Sequence, residues 1–188
     1  MPPPGQLCSA GIHPWEAGEA TDADWQWLAE VTALPEVVAV GEAGLDKLRG
    51  AEPAVQQEAF LRQIQLSEQL RKPLIIHQVR SHEEIIRLAR QLRPSQPWII
   101  HGFRQRPEIA RRLLDASPNI LLSFGPRFNP ETVKSVPLDR LLAETDDDPS
   151  ATIADVISAL ARTLALPPDS LSSSLRLTLR NTYPLEGV

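Results

Sequence analysis

Four acidic or imidazole side chains in this sequence each close an apolar run. Glu42 ends VVAVGE, His77 ends PLIIH, His101 ends PWIIH and Asp146 ends RLLAETD. Carboxylate oxygens and imidazole nitrogens together are ligands for divalent metal ions. The same placement recurs four times, at separations of 35, 24 and 45 residues. This pattern predicts a metal-ligand set built from two histidines and two carboxylates.

The apolar runs are candidate strands, and they alternate with amphipathic helical stretches. The six candidate strands cover residues 7–12, 37–41, 73–77, 98–101, 120–124 and 138–144. Such alternation is typical of an α/β fold, either an open doubly wound sheet or a closed (β/α) barrel. Neither a G-x-G-x-x-G turn nor a phosphate loop ending in Gly-Lys-Ser/Thr is present, which favours the barrel. In a barrel the carboxyl ends of the strands converge on one face, so the four side chains are expected to share a pocket.

Several helix starts are visible in the sequence. They are a capping box of Ser81 with Glu84, a second of Thr152 with Asp155, and Pro107 in a first turn. The longest helix is expected over residues 53–71. Together these signals place helices between the candidate strands.

Length, charge and cysteine content limit the class of protein. A chain of 188 residues is long enough for one domain, which we expect to span residues 1–188. The net charge of −5 argues against bulk electrostatic coating of nucleic acid. The single cysteine, Cys8, excludes an internal disulfide, and no apolar run is long enough for a membrane span. We therefore expect a cytoplasmic protein that does not enter membranes.

The stretches that carry these residues resemble the TatD-type metal-dependent deoxyribonucleases, barrels related to the amidohydrolases. GIHPW at 11–15, VGEAGLD at 40–46, PLIIHQVR at 73–80, WIIHGF at 98–103, ILLSFGPRFN at 120–129 and LLAETDDD at 141–148 are similar to that family's third to eighth strands. GFR at 102–104 and the acidic doublet after ETD are most similar to a short-chain branch. The resemblance covers nearly the whole chain and implies a TIM-type (β/α) barrel with about six of the eight strands.

The resemblance also implies a role for each candidate residue. One or two divalent ions (zinc, magnesium or manganese) would be bound, with Glu42 bridging them and His77 and His101 holding one of them. Asp146 would hold the other ion or orient the attacking water. In this pattern Glu42 and Asp146 are the catalytic carboxylates, and DNA phosphodiesters are the substrate. A divalent ion lowers the pKa of bound water from about 16 towards about 7, and a nearby carboxylate can take the proton.

The sequence departs from the family at its first strand, which ends in His-x-His. The four histidines here are at positions 13, 77, 82 and 101, so no pair is separated by one residue. We expect the first one or two barrel strands to be missing. Three explanations are open: a true start that lies upstream, a decayed gene, or a natural minimal form. His13 is either a residue next to the metal ligands or a substitute ligand.

Other residues near the strand ends have two possible roles each. Arg80, Arg104 and Arg127 follow strands by a few residues, where they could bind substrate phosphates or be ordinary solvated arginines. Trp15 and Phe103 could stack on unpaired bases, although packing is the simpler role. His82 is expected to be exposed in the first turn of a helix.

Three functional hypotheses follow from the sequence. The first is a metal-dependent deoxyribonuclease. The second is an amidohydrolase-type enzyme that cleaves a small ester or amide, because substrate choice is set by the loops rather than by the fold. The third is a metal-binding homologue impaired in catalysis by the absence of His-x-His.

Overall fold

A computed structural model describes residues 6–183, which form one parallel sheet of six strands in chain order, flanked by helices. The strands are β1 (Cys8–Ala10), β2 (Val37–Asp46), β3 (Leu74–Val79), β4 (Trp98–Ile100), β5 (Ile120–Phe124) and β6 (Leu141–Ala143). The helices are α1 (Asp22–Thr32), α2 (Pro53–Leu70), α3 (His82–Leu92), α4 (Pro107–Leu114), α5 (Pro130–Ser135), α6 (Ile153–Leu164) and α7 (Pro168–Thr182).

The sheet curls into an open half-barrel. Within residues 6–183, β1 is paired with β2 alone and β6 with β5 alone, so these two strands are the edges of the sheet. The prediction of an incomplete α/β barrel is therefore confirmed. Because all strands are parallel, their carboxyl ends meet at one rim of the half-barrel.

Alternating side chains divide each strand between two faces of the sheet. The residues facing the helices belong to the main core, in which Trp98 is fully buried and its ring lies 6.0 Å from that of Phe60. Full burial of one such large apolar side chain contributes about 1.5–3 kcal/mol. The concave face has a much smaller apolar cluster, formed by Ile99, Leu121 and Leu142. Most of the hydrophobic stabilisation therefore lies between the sheet and its helices.

Strand β2 is longer than the sequence predicts. Its pairing with β3 is interrupted between Val40 and Ala43 and then continues to Asp46, so Glu42 lies at the irregularity and not at the strand end. Gly44 permits this continuation, because a Cβ at this position would lie 2.0 Å from the carbonyl oxygen of His77.

The last strand is shorter than predicted. Residues Leu138–Arg140 form a 3-10 turn, and only Leu141–Ala143 pair with β5. Asp146 therefore lies three residues beyond the end of β6, in a left-handed backbone conformation with φ 54°.

The predicted helix starts have mixed outcomes. Thr152 and Asp155 form the expected capping box, and Pro107 opens α4. The Ser81–Glu84 capping box is wrong, because the Ser81 hydroxyl donates to the carbonyl oxygen of Leu45 and makes no cap bond. None of the helices within residues 6–183 combines the length and apolarity needed to cross a membrane.

Candidate metal centre

The alternation of side chains along each strand places the predicted histidine ligands on the concave face of the sheet. His77 lies two residues after Ile75, and His101 two residues after Ile99; both of these isoleucines face the concave cluster. Successive side chains of a strand alternate between faces, so residues two apart share one. The apolar part of each strand therefore fixes the direction of the histidine that follows it.

Glu42 lies at the centre of the group. Its Oε2 atom is 3.0 Å from His101 Nε2, 3.7 Å from His13 Nε2 and 3.9 Å from His77 Nδ1. One carboxylate oxygen thus lies within 4 Å of three imidazoles that come from different parts of the chain. The structure brings together the two histidines and the glutamate expected from the sequence and adds His13 to them.

Two triplets of side chains are spaced so that each could hold a metal ion. They are His13–Glu42–His77 and Glu42–His101–Asp146, and in each the ligand atoms lie within 4.8 Å of one another. Two atoms bound to the same ion at about 2.1 Å can be at most about 4.2 Å apart, and the distances from Glu42 Oε2 to the three imidazoles are all shorter than this limit. Both triplets use Glu42, so the two candidate metal-binding groups are adjacent.

The environment of His101 tests whether these residues suit a divalent metal ion. Its Nε2 atom is buried and makes no hydrogen bond within the described residues, although Glu42 Oε2 is 3.0 Å away. Burial disfavours the charged imidazole, but the carboxylates of Glu144 and Glu42 outweigh it and raise the pKa of His101 to about 10. Carboxylates therefore concentrate negative potential at this nitrogen. A divalent cation there would satisfy both the nitrogen and the carboxylates, and the residues present fit such an ion.

Neighbouring imidazoles lower the pKa values of both Glu42 and His13. His101 is the largest influence that lowers the pKa of the Glu42 carboxyl, against its partial burial. Burial and the nearby His77 lower the pKa of His13. An ionised carboxylate beside a neutral imidazole is the pair of forms that binds a metal ion.

Two further carboxylates were missed by the sequence reasoning. Asp46 Oδ2 lies 3.1 Å from His77 Nε2, and Glu144 Oε1 lies 3.8 Å from His101 Nδ1. Each of these carboxylates therefore lies behind a histidine, on the side away from Glu42. Glu144 also accepts a hydrogen bond of 2.6 Å from the amide of Gly102, next to His101 in the chain.

Two buried glutamines of α2 fix the segments around the β2–β3 side of the site. Gln63 accepts from the amide of Ile12 at 2.8 Å and donates to its carbonyl oxygen at 2.9 Å, just before His13. Gln56 makes the same pair of bonds to the backbone of Asp46, at 2.8 and 3.0 Å. A buried amide side chain that satisfies a backbone N–H and C=O holds the segment that carries them in place.

A cleft of about 560 Å³ opens beside the histidines and carries positive charge on its walls. It is lined by His77, His101 and Asp146 together with Arg80 and Arg104. Arg104 lies 3.9 Å from Asp146 at its nearest approach.

Arg127 is not among the residues lining this cleft. Its side chain is two-thirds exposed, and its guanidinium lies 3.9 Å from Asp148.

The remaining candidate side chains have packing or hydrogen-bonding positions. Trp15 donates from Nε1 to Asp46 at 2.8 Å, and its ring stacks edge-on against His13. Phe103 is buried against Phe124. His82, expected to be exposed, is half-buried and lines the cleft.

Comparison with known proteins places the chain in a family. The model of the family described as TatD related DNase matches residues 3–183. The chain belongs to this family. The TatD-like fold is also seen in the crystal structure of YJJV, a TatD homologue from Escherichia coli, with a TM-score of 0.83 over 95% of this chain and 77% of that one, at 24% sequence identity.

Related sequences in the TatD family come from several bacteria. The uncharacterized metal-dependent hydrolase YabD of Bacillus subtilis is 35% identical over 72% of this chain and 56% of its own length. A protein of Erwinia billingiae named 3'-5' ssDNA/RNA exonuclease TatD is 33% identical over 76% of this chain and 58% of its own length. The chain thus spans little more than half the length of the curated relatives that it matches.

Proposed function

We propose that this chain is a metal-dependent phosphodiesterase that cleaves DNA, with single-stranded ends as its substrate. The observation that carries the proposal is the pair of ligand triplets sharing Glu42, three of whose members, His77, His101 and Asp146, line a cleft that also contains Arg80 and Arg104. The name of the Erwinia relative as a single-stranded DNA and RNA exonuclease supports this choice of substrate. The single cysteine supports the accompanying proposal of a cytoplasmic location.

The proposed metal ligands are Glu42, His77, His101 and Asp146, with His13 as a fifth. One or two ions of zinc, magnesium or manganese would activate a bound water and offset charge on the phosphoryl oxygens. Two-metal sites hold their ions about 3.5–4 Å apart, a separation that a single bridging carboxylate can span.

The other proposed roles follow from position in the cleft. Asp146 lines the cleft and Glu42 does not, so Asp146 is placed to take a proton from an attacking water. Arg80 and Arg104 line the cleft, where they are placed to hold phosphate oxygens by charge-assisted hydrogen bonds. Arg127, outside the cleft, is proposed as a third contact farther along the bound DNA strand.

The test is cleavage of an end-labelled single-stranded oligonucleotide by purified protein stripped of metal and then given magnesium, manganese or zinc. We expect cleavage only with added metal. Glu42→Ala should reduce kcat/KM by at least about 10³-fold, because it removes a ligand shared by both triplets and several kcal/mol of transition-state stabilisation. Glu52→Ala, an exposed glutamate at the start of α2, is the control and should keep full activity.

The other two hypotheses correspond to different results of the same assay. Turnover of a small ester or amide without DNA cleavage would identify an amidohydrolase-type enzyme. Retention of metal with no hydrolysis of either substrate would identify a non-catalytic metal-binding protein. Equal DNA cleavage by the wild type and Glu42→Ala would reject the proposed site.

A further inference from the structure

Asp46 is a buried carboxylate with no access to the substrate cleft. Its side chain is 4% exposed, and it is absent from the residues lining the cleft. The oxygen Oδ1 accepts from the backbone amide of Leu48 at 2.8 Å. The oxygen Oδ2 accepts from Trp15 Nε1 at 2.8 Å and lies 3.1 Å from His77 Nε2. The carboxylate thus faces two N–H donors and the Nε2 atom of His77 at once.

The other two groups that face the carboxylate, Trp15 Nε1 and the backbone amide of Leu48, can only donate hydrogen bonds, so the site is built for an acceptor. An ionised carboxylate can only accept hydrogen bonds. His77 must therefore carry a proton on Nε2, which leaves the lone pair of Nδ1 directed towards Glu42, 3.9 Å away.

We propose that Asp46 is a positioning residue that holds His77 as an Nδ1 metal ligand. The inference rests on the proposed metal site and assigns a role to a residue that touches neither substrate nor ion. A carboxylate behind a ligating histidine fixes its tautomer and ring orientation and raises its basicity, and loss of such a partner lowers metal affinity by about 10- to 100-fold.

The opposite pattern at His101 strengthens the assignment. There Nε2 faces Glu42, while Nδ1 lies towards Glu144 at 3.8 Å. The two histidines thus present different ring nitrogens to the same carboxylate oxygen, and in each the nitrogen facing away has a carboxylate behind it. A tightly held carboxylate at 3.1 Å makes His77 the more strictly oriented of the two.

An amide cannot replace Asp46 without loss. If the side-chain oxygen of an asparagine faced Trp15 and His77, its NH₂ group would face the backbone N–H of Leu48. Two hydrogen-bond donors would then point at each other. In the reverse orientation the NH₂ group would donate to His77 Nε2 and move the imidazole proton to Nδ1, the nitrogen that the ion needs. Asp46→Asn is therefore close to isosteric but chemically mismatched in either orientation.

The experiment combines metal titration with proton NMR of the metal-free protein. Calorimetric titration of Zn²⁺ or Mn²⁺ should show about 10- to 100-fold weaker binding in Asp46→Asn than in the wild type. In the metal-free wild type, the His77 Nε2 proton should appear as a downfield, slowly exchanging resonance, assigned by its absence in His77→Gln. In Asp46→Asn this resonance should be lost or exchange faster.

Gln56→Ala is the matched control. Gln56 bonds to the backbone of Asp46 and not to its carboxylate, so its removal disturbs the same segment and lowers thermal stability. We expect it to retain the His77 resonance and to bind metal within about threefold of the wild type, since the carboxylate–imidazole pair is kept intact. Asp46→Ala is measured as well; if it does not fold, Asp46→Asn decides the question.

The two readouts separate this inference from the proposed function. Wild-type metal affinity and an unchanged His77 resonance in Asp46→Asn would overturn the positioning role, even if the protein cleaves DNA. An equal loss of affinity in Gln56→Ala would also overturn it, because general disturbance of the segment would then explain the effect. Conversely, a His77 resonance that depends on Asp46 supports the positioning role even if no DNA is cleaved.

Discussion

The two sides of the metal centre differ in how firmly the fold holds them. We call one the β3 side, formed by His13, Asp46 and His77, and the other the β4 side, formed by His101, Glu144 and Asp146. Asp46 is buried and both of its oxygens accept hydrogen bonds, whereas Asp146 is exposed and follows β6 by three residues. Glu42 contacts the imidazoles of both sides.

This difference separates two tasks within one small site. The β3 side is completed as soon as β2, β3 and α2 pack together, because its polar groups are satisfied by one another and by buried glutamines of α2. The β4 side ends in residues that line the cleft, where a substrate can reach them. Both sides carry proposed metal ligands, and we infer that the β4 side, where Asp146 lies beside Arg104 in the cleft, also meets the substrate.

The largest expected effect comes from removing one histidine of each side in turn. His77→Ala and His101→Ala should each lose the ion of their own triplet and each lower kcat/KM by about 10³-fold, since one metal position supplies several kcal/mol. Metal content per chain, measured by mass spectrometry, checks this. His82→Ala, which lies outside both triplets, should retain the wild-type metal content. If either substitution removes all bound metal, the two sides form a single site and the distinction fails.

A smaller effect is expected from Asp146→Asn on the β4 side. The amide keeps the shape but cannot take a proton, so kcat should fall by about 10²-fold while KM changes little. Steady-state kinetics on an oligonucleotide, with Asp147→Asn as an exposed neighbouring control, measures this. A fall in metal affinity at the β3 side as large as the fall in kcat would show that Asp146 acts mainly as a ligand of both ions.

The strand alternation explains why the sequence predicted much of this site. His77 and His101 each follow an apolar residue of the concave face by two positions, and this local pattern is visible in the chain. The same rule extends along β2 to Asp46, four residues after Glu42, whereas Glu144 directly follows the last residue of β6. They were missed because β2 was expected to end near Gly41 and because the LLAETD run was considered only at its last residue.

Contacts made by helix α2 lie beyond what the sequence pattern reveals. Gln63 bonds to Ile12, 51 residues earlier in the chain, and nothing in the helical periodicity distinguishes it from an exposed glutamine. His13 is brought next to Glu42 by this same long-range packing, and so its proximity to the other ligands was left open. Local sequence predicts which face a side chain occupies, but it does not reveal which distant backbone that side chain will satisfy.

The stability of the β3 side should respond to loss of one of these glutamines. Gln63→Ala leaves the buried N–H and C=O of Ile12 without partners, so the free energy of unfolding should fall by about 1–3 kcal/mol. Urea denaturation measures the change. Gln65→Ala, on the exposed face of the same helix, should change stability by less than about 0.5 kcal/mol. Equal effects of the two substitutions would mean that helix propensity, and not the bond to Ile12, determines the loss.

The smallest expected effect tests whether the β4 side contacts the substrate backbone. Arg104 is half exposed in the cleft, and removing one phosphate contact with single-stranded DNA should reduce the slope of log K against log salt concentration by about 0.7. Fluorescence anisotropy of a labelled oligonucleotide in EDTA, at several salt concentrations, gives this slope without cleavage. Arg162→Ala, on the exposed face of α6, removes the same charge and should leave the slope unchanged. A reduction of similar size in both variants would assign the effect to net charge, and the cleft arginine would then have no specific part in binding.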